Sequence, residues 1–345
     1  MVKRILVGTL TLIVLSIVVI VVSMMRFDVP REELVGKYAG GASQFATLPS
    51  GASVHFRDEG NPDGPALVLV HGSNASLHTW EPWVAELGGT YRIVSMDLPG
   101  HGLTGRVPGD DYSREGMAAS VHELTEMLGL QRFAIGGNSM GGGVSAMYTL
   151  EHPERVSALI LVNSAGVPVA RDDTDPPLAF RLARMPVLSK VMRYVLPRSV
   201  VEEGVRKVFV DQSKVTDEMV ARYFDLTLHE GNRDATRIRF TSYAGRDEAA
   251  FAEQLGAIEA PTLIIWGDKD LLIPVAAADT FKERIPHAEL VIYENVGHVP
   301  MEEVAEESAG AVAAFLGAAL MEPVPVSVAA PDVEEAEDAE PEAEE

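Results

Sequence analysis

The segment Gly137-Asn138-Ser139-Met140-Gly141 constrains this chain more than any other. It joins a short apolar run, residues 132–135, to a small-residue stretch, 140–150, that reads as a helix. A chain that passes from strand to helix over so few residues must bend sharply. The positions two before and two after the central serine then have no room for bulk. Glycine at 137 and 141 meets that demand, because it has no Cβ and tolerates strained dihedrals. The hydroxyl of Ser139 would project from the sheet edge. The N–H of Met140 would lie at a helix N-terminus, where negative charge is stabilised. Such a serine is a candidate nucleophile. Chance also supplies such pentapeptides, so the rest of the chain must provide a base, an acid and the right fold.

The surrounding pattern is an alternation. Residues 53–57 read as an edge strand. Residues 66–70 are a continuous apolar run bounded by Gly64-Pro65 and His71-Gly72, as in a buried parallel strand. A helix over 77–87, a strand over 91–96 and a helix over 113–128 follow, the last with Met117, Val121, Leu124 and Leu128 on one face. Beyond Ser139 come strands over 156–162, 262–266 and 290–293 and helices over 276–284 and 301–320. Strands alternating with helices predict an α/β fold, a mostly parallel central sheet with helices on both faces. Residues 168–255 break the alternation and read as several helices, one of them starting at Thr216 before Asp217-Glu218. An insertion at this place predicts a helical cap above the carboxyl ends of the strands.

Residues 5–25 carry no charge, follow Lys3-Arg4 and end at Arg26. As a helix this run spans ~31 Å, the thickness of a bilayer's hydrocarbon core. A cleaved signal peptide has a shorter apolar region followed by a small-x-small site, and Ser23-Met24-Met25-Arg26-Phe27 offers none. The expectation is a single-pass membrane anchor over 1–26, with a cytoplasmic N-terminus set by Lys3 and Arg4. The folded part would then lie outside, in the periplasm if the cell is a diderm bacterium. A linker over 27–50, a core over 51–167, the cap over 168–255 and a second core part over 256–321 complete the layout. The Pro-, Ala- and Glu-rich tail over 322–345 has too little apolar surface to offset ordering entropy.

Composition narrows the function. The net charge of −23 argues against a nucleic-acid partner, although residues 332–345 alone hold nine carboxylates and no base. With no cysteine, a disulfide framework, a thiol nucleophile and cysteine metal sites are excluded. Against this acidity, residues 177–201 set Arg181, Arg184, Lys190, Arg193 and Arg198 among apolar side chains with no acid. That stretch reads as an ordinary cap helix whose arginines pair with the acidic body, or as a second contact with an anionic membrane surface.

Five segments together carry a resemblance: His71-Gly72-Ser73, Asp97-Leu98-Pro99-Gly100-His101-Gly102, Gly137 to Gly142, Trp266-Gly267-Asp268-Lys269-Asp270 and Gly297-His298. The chain resembles the α/β-hydrolase superfamily, of the cap-bearing type that includes serine esterases, lipases and ring-cleavage-product C–C hydrolases. The resemblance covers about residues 50–320 and keeps the family order serine, acid, histidine. It implies Ser139 as nucleophile, His298 as general base and Asp270 as the carboxylate that orients it. Asp268 is then a loop or capping residue. The oxyanion donors implied are the backbone N–H groups of Met140 and Ser73, with Asn74 as the alternative to Ser73. No metal or organic cofactor is needed. His55, His71 and His152 read as structural, and His101 as structural or pocket-lining.

Serine at 139 separates the chain from the dehalogenases and epoxide hydrolases of this fold, which use Asp there. The C–C hydrolases share Gly-Asn-Ser-Met-Gly-Gly but carry Trp after the histidine, where this chain has Val299-Pro300. The expected function is cleavage of carboxylic esters, lipid-like acyl esters included, through an acyl-enzyme. The alternatives are a C–C bond hydrolase and a non-catalytic binding protein on the same fold. The expected partners are a small ester or lipid substrate and the membrane.

Overall fold

The computed structural model describes residues 2–168, 194–243 and 248–320. Its described strands are β1 (Ser43–Thr47), β2 (Ser53–Gly60), β3 (Ala66–Val70), β4 (Arg92–Met96), β5 (Phe133–Asn138), β6 (Val156–Val162), β7 (Thr262–Gly267) and β8 (Glu289–Tyr293). They form one sheet in the order β1-β2-β4-β3-β5-β6-β7-β8. β2 pairs antiparallel with β1 and β4, and every pair from β4 to β8 is parallel. β5 and β6 are buried at every position. A strand covered on both faces has no solvent side to mark with polar residues, so 156–162 is apolar at every position but Ser157.

Alternate side chains feed two layers. Leu67, Leu69, Ile93, Ile160, Val162 and Ile265 pack with Trp83 and Leu87 of the helix Glu81–Leu87 and with Val312, Phe315 and Leu316 of Ala305–Ala319. Val68, Val70, Val94, Leu159, Leu161 and Ile264 pack on the other face, against the helices Arg114–Met127, Met140–Glu151 and Ala276–Arg284. Each such side chain contributes ~1.5–3 kcal/mol by leaving water. Trp83 Nε1 donates to Ser308 Oγ at 2.9 Å and fastens the first two helices together.

Some boundaries differ from the sequence reading. Residues 77–87 form a 3-10 turn, Leu77–Trp80, and then the regular helix Glu81–Leu87. Pro82 has no N–H to give, so the regular helix starts beside it. The last helix is split at Val304 (φ −130°, ψ 57°) into Pro300–Glu303 and Ala305–Ala319. Within 27–50, read as a linker, the helix Arg31–Tyr38 and β1 form. That helix buries Leu34 alone, and β1 buries no residue. Neither carries the apolar period by which such elements are recognised.

The insertion between β6 and β7 contains the helices Arg198–Val208, Asp217–Thr227, Asn232–Ile238 and Glu248–Gln254. Thr216 caps the second of these by accepting the Met219 N–H at 3.1 Å. Residues 177–193 of the basic stretch, and the tail over 322–345, lie outside the described residues.

At the N-terminus, the helix Val2–Ser23 is 22 residues long. Its part Arg4–Ser23 is long and apolar enough to cross a membrane, a test that a signal sequence also passes. The segment after it is laid against the insertion. Arg26 N donates to Tyr194 O at 2.7 Å, Val29 N to Leu228 O at 2.7 Å, and Glu230 N to Val29 O at 3.1 Å. Arg233 donates to Asp28 Oδ1 at 3.0 Å and to Arg26 O at 2.8 Å.

Candidate active site

The chain runs from β3 to β4 on one side, then returns to place β5 on the other side of β3. Loops leave the sheet in opposite directions here, which is where open α/β sheets bind ligands. The loop after β3 packs directly on the turn after β5. A Cβ built on Gly72 would lie 2.8 Å from Asn138 Oδ1 and 3.2 Å from Ser139 Cβ. Ser139 itself has φ 53° and ψ −120°, a strained region costing of order 1–3 kcal/mol. Its backbone is pinned: N–H to Val162 O at 3.0 Å, and C=O from Gly142 N at 3.0 Å and Ala165 N at 2.9 Å. The flanking glycines are required by backbone crowding. A Cβ at 137 would sit 2.2 Å from Gly141 O, and one at 141 would sit 2.1 Å from Val70 O.

Asp270 follows β7 and His298 follows β8, and the structure brings them together. His298 Nδ1 and Asp270 Oδ2 are 2.6 Å apart. Asn163 Nδ2 also donates to Oδ2 at 2.7 Å, and the N–H groups of Leu272 and Ile273 donate to Oδ1 at 2.7 and 3.0 Å. Burial alone would raise the Asp270 carboxyl. The bonds from His298, Asn163 and Ile273 outweigh it and hold the group below the usual carboxylate range. An ionised Asp270 accepting from Nδ1 fixes the imidazole tautomer and leaves Nε2 to face other groups.

The histidine backbone is also held. His298 N donates to Val208 O at 2.8 Å, and Asn138 Nδ2 donates to His298 O at 3.0 Å. Glu303 accepts from Gly297 N at 2.7 Å and from Val210 N and Asp211 N at 2.8 and 2.6 Å. This one carboxylate ties the histidine loop to the end of the first insertion helix.

Ser139 and His298 line one cavity of about 620 Å³, with Ser73, Asn74, Met140 and Arg239. Val200, Val201, Val205 and Val208, from the insertion, form an apolar wall. Among the described residues, neither Ser73 N–H nor Met140 N–H has a hydrogen-bond partner. Both therefore stand available to a ligand beside Ser139. Asn74, the alternative donor, has φ 58° and lines the same cavity.

The other histidines have structural partners. His55 Nδ1 meets Asp97 Oδ2 at 2.7 Å. His71 Nδ1 bonds Gly72 O at 2.7 Å, and its Nε2 accepts from Leu98 N at 3.0 Å. His152 stacks on His122 with centroids 4.1 Å apart. His101 is buried, with Nδ1 on Pro99 O at 3.0 Å. Asp268 accepts the Asn295 N–H at 2.6 Å and pairs with Lys269, as a loop residue. Among the described residues, no group of three His, Asp or Glu side chains is placed to hold a metal ion.

Sequence reasoning did not single out Asn163 or Arg239. A polar residue directly after the apolar run 156–162 was the available signal for Asn163. Arg239 had none, because its direction depends on how the insertion folds.

This geometry has counterparts. Residues 65–304 match the model of the alpha/beta hydrolase fold, and the chain belongs to that family. It is 28% identical over 279 residues to Lipase 1 of Psychrobacter immobilis, covering 78% of this chain and 82% of the relative. It is 28% identical over 257 residues to a monoacylglycerol lipase of Mus musculus, covering 73% and 75%. Among solved structures, it superposes on a membrane phospholipase A with a TM-score of 0.67 and 26% identity, covering 93% of this chain and 100% of that one.

Proposed function

We propose that this chain is a serine hydrolase that cleaves carboxylic esters of lipid-like acyl chains. The observation that carries the reading is the Asp270–His298 hydrogen bond, with His298 and Ser139 lining one cavity. In this reading Ser139 Oγ attacks the ester carbonyl and His298 Nε2 takes its proton. Asp270 stabilises the imidazolium, and the Ser73 and Met140 N–H groups stabilise the oxyanion. Collapse expels the alcohol, which receives the proton from His298 and leaves an acyl-enzyme on Ser139. A water activated by His298 then releases the acid and restores the hydroxyl.

The relatives named as lipases, and the valine wall of the cavity, support a substrate with an apolar chain. In this reading the chain is laid out as an anchor over 1–26, cores over 51–167 and 256–321, and a cap over 168–255. The exposed apolar helix supports residence at a membrane, with the catalytic part outside. The C–C hydrolase alternative keeps the shared Gly-Asn-Ser-Met-Gly-Gly but not the residue after the histidine.

The test is turnover of p-nitrophenyl esters of graded chain length, with a ring-cleavage dienoate alongside. Ester turnover without dienoate turnover is the expected result. Ser139→Ala should lower ester turnover by several orders of magnitude and abolish fluorophosphonate labelling without unfolding the protein. Undiminished turnover in that variant rejects the nucleophile assignment.

A further inference from the structure

The catalytic cavity carries a charge of its own. Arg239 opens a wide π-type turn, Arg239–Tyr243, at the end of the helix Asn232–Ile238. Its side chain reaches back over the loop after β3 and the turn after β5. One guanidinium nitrogen donates to Ser73 Oγ, and Nη1 lies 3.0 Å from Met140 Sδ. The guanidinium thus spans Ser73 and Met140, two residues of the cavity lining whose N–H groups have no partner among the described residues. Its Nε is sealed from solvent and has no hydrogen-bond partner among the described residues. Other arginines with little exposure meet carboxylates: Arg57 with Glu81, Arg155 with Glu126, Arg233 with Asp28. Arg239 meets none among the described residues. Burial without a counter-ion pushes its guanidinium down to about 10.

The sign of the cavity is consistent. In a chain with 51 acidic residues, its described lining holds Arg239 and Lys207 and no carboxylate. The charge of Asp270, behind His298, is already taken up by hydrogen bonds from His298 and Asn163. A desolvated guanidinium lacking an anion is costly, and an arriving anion offsets that cost. The same cavity is lined by the apolar side chains of Val200, Val201, Val205 and Val208.

We infer that Arg239 is an anion-recognition residue of the substrate site, selecting amphiphilic esters that carry a carboxylate or phosphate near the scissile carbonyl. This rests on Ser139 being the nucleophile of an esterase. The guanidinium fork would receive the anion while the chain lies along the valine wall.

Two matched ester pairs test it on the full-length protein. One pair is p-nitrophenyl pentanoate and the half-ester p-nitrophenyl hydrogen glutarate. The other is 1-lauroylglycerol and its 3-phosphate. Measurable wild-type turnover of either neutral ester, lost in Ser139→Ala, secures the underlying reading independently. Arg239→Met should lower the anionic-over-neutral ratio of kcat/KM by roughly 10- to 100-fold, the range of one hydrogen bond to a charged group. Arg239→Lys should recover part of that ratio, because it keeps the charge and loses the fork. A drop in the glutarate pair alone assigns the site to carboxylates, and a drop in the lauroyl pair alone assigns it to phosphates. As a readout apart from turnover, glutarate or glycerol 3-phosphate should bind Ser139→Ala more tightly than the Ser139→Ala, Arg239→Met double variant. Equal loss on neutral and anionic esters, with no difference in anion binding, overturns the proposal and leaves Arg239 as a support of the loop after β3.

Discussion

Asp97 shows how much one buried carboxylate can organise without touching substrate. It accepts from His55 and from the N–H groups of Leu77 and Leu103, at 2.7, 2.8 and 2.7 Å. Burial would raise its carboxyl, and the interactions with His55 more than reverse that. Asp97→Ala would strand three polar partners in the core, so it should cost about 3–5 kcal/mol in urea unfolding. A loss under 1 kcal/mol would show that the loop from Asp97 to Gly102 holds itself. Glu302 behaves oppositely. Burial pushes it up to about 7, against weaker pulls from the Thr79 hydrogen bond and Arg222. The folded state then keeps a proton that the unfolded chain releases near pH 4.5. Stability from this group is complete below that pH and is lost as pH rises to about 7. Glu302→Gln should gain in urea midpoint relative to the parent between pH 5 and pH 8. A pH-independent difference would remove Glu302 as the titrating group.

At the scale of elements, what could be read from the chain was what is buried. β3 and β6 announce themselves because both faces are covered, leaving apolar residues at every position but Ser157. The positions of Ser139, Asp270 and His298 were legible from strands: Ser139 and Asp270 follow the buried strands β5 and β7, whereas His298 follows β8, which buries no residue and shows only as a short apolar run. β1 was not, since Ser43, Gln44, Phe45, Ala46 and Thr47 all keep some contact with solvent. The helix Arg31–Tyr38 hid likewise behind a single buried leucine. The insertion helices were legible as helices, and Thr216 as a start, but not in their packing. That is why Arg239 and the Glu303 bonds to Val210 and Asp211 were out of reach. They depend on distant segments meeting, and no local period encodes such a meeting.

The molecule as a whole joins three parts of the chain at one place. Residues 26–29, the segment 194–196 and the turn around 228–233 meet near the cavity lined by Ser139, and Leu196 lies in that lining. Hydrogen exchange can read this junction. The amides of Arg26, Val29 and Glu230 should exchange together, and Arg233→Met should speed all three. Independent exchange of the three would mean that they do not open as a unit. An insertion joined to the body by two crossings of the chain could swing about the line between them. The bonds of Val210 and Asp211 to Glu303, of His298 to Val208 O and of Arg239 to Ser73 add attachments off that line and remove the free hinge, and the Asp28–Arg233 contact ties the segment after the first helix to the same insertion. A tilt of the first helix then becomes a mechanical load on the valine wall that faces Ser139.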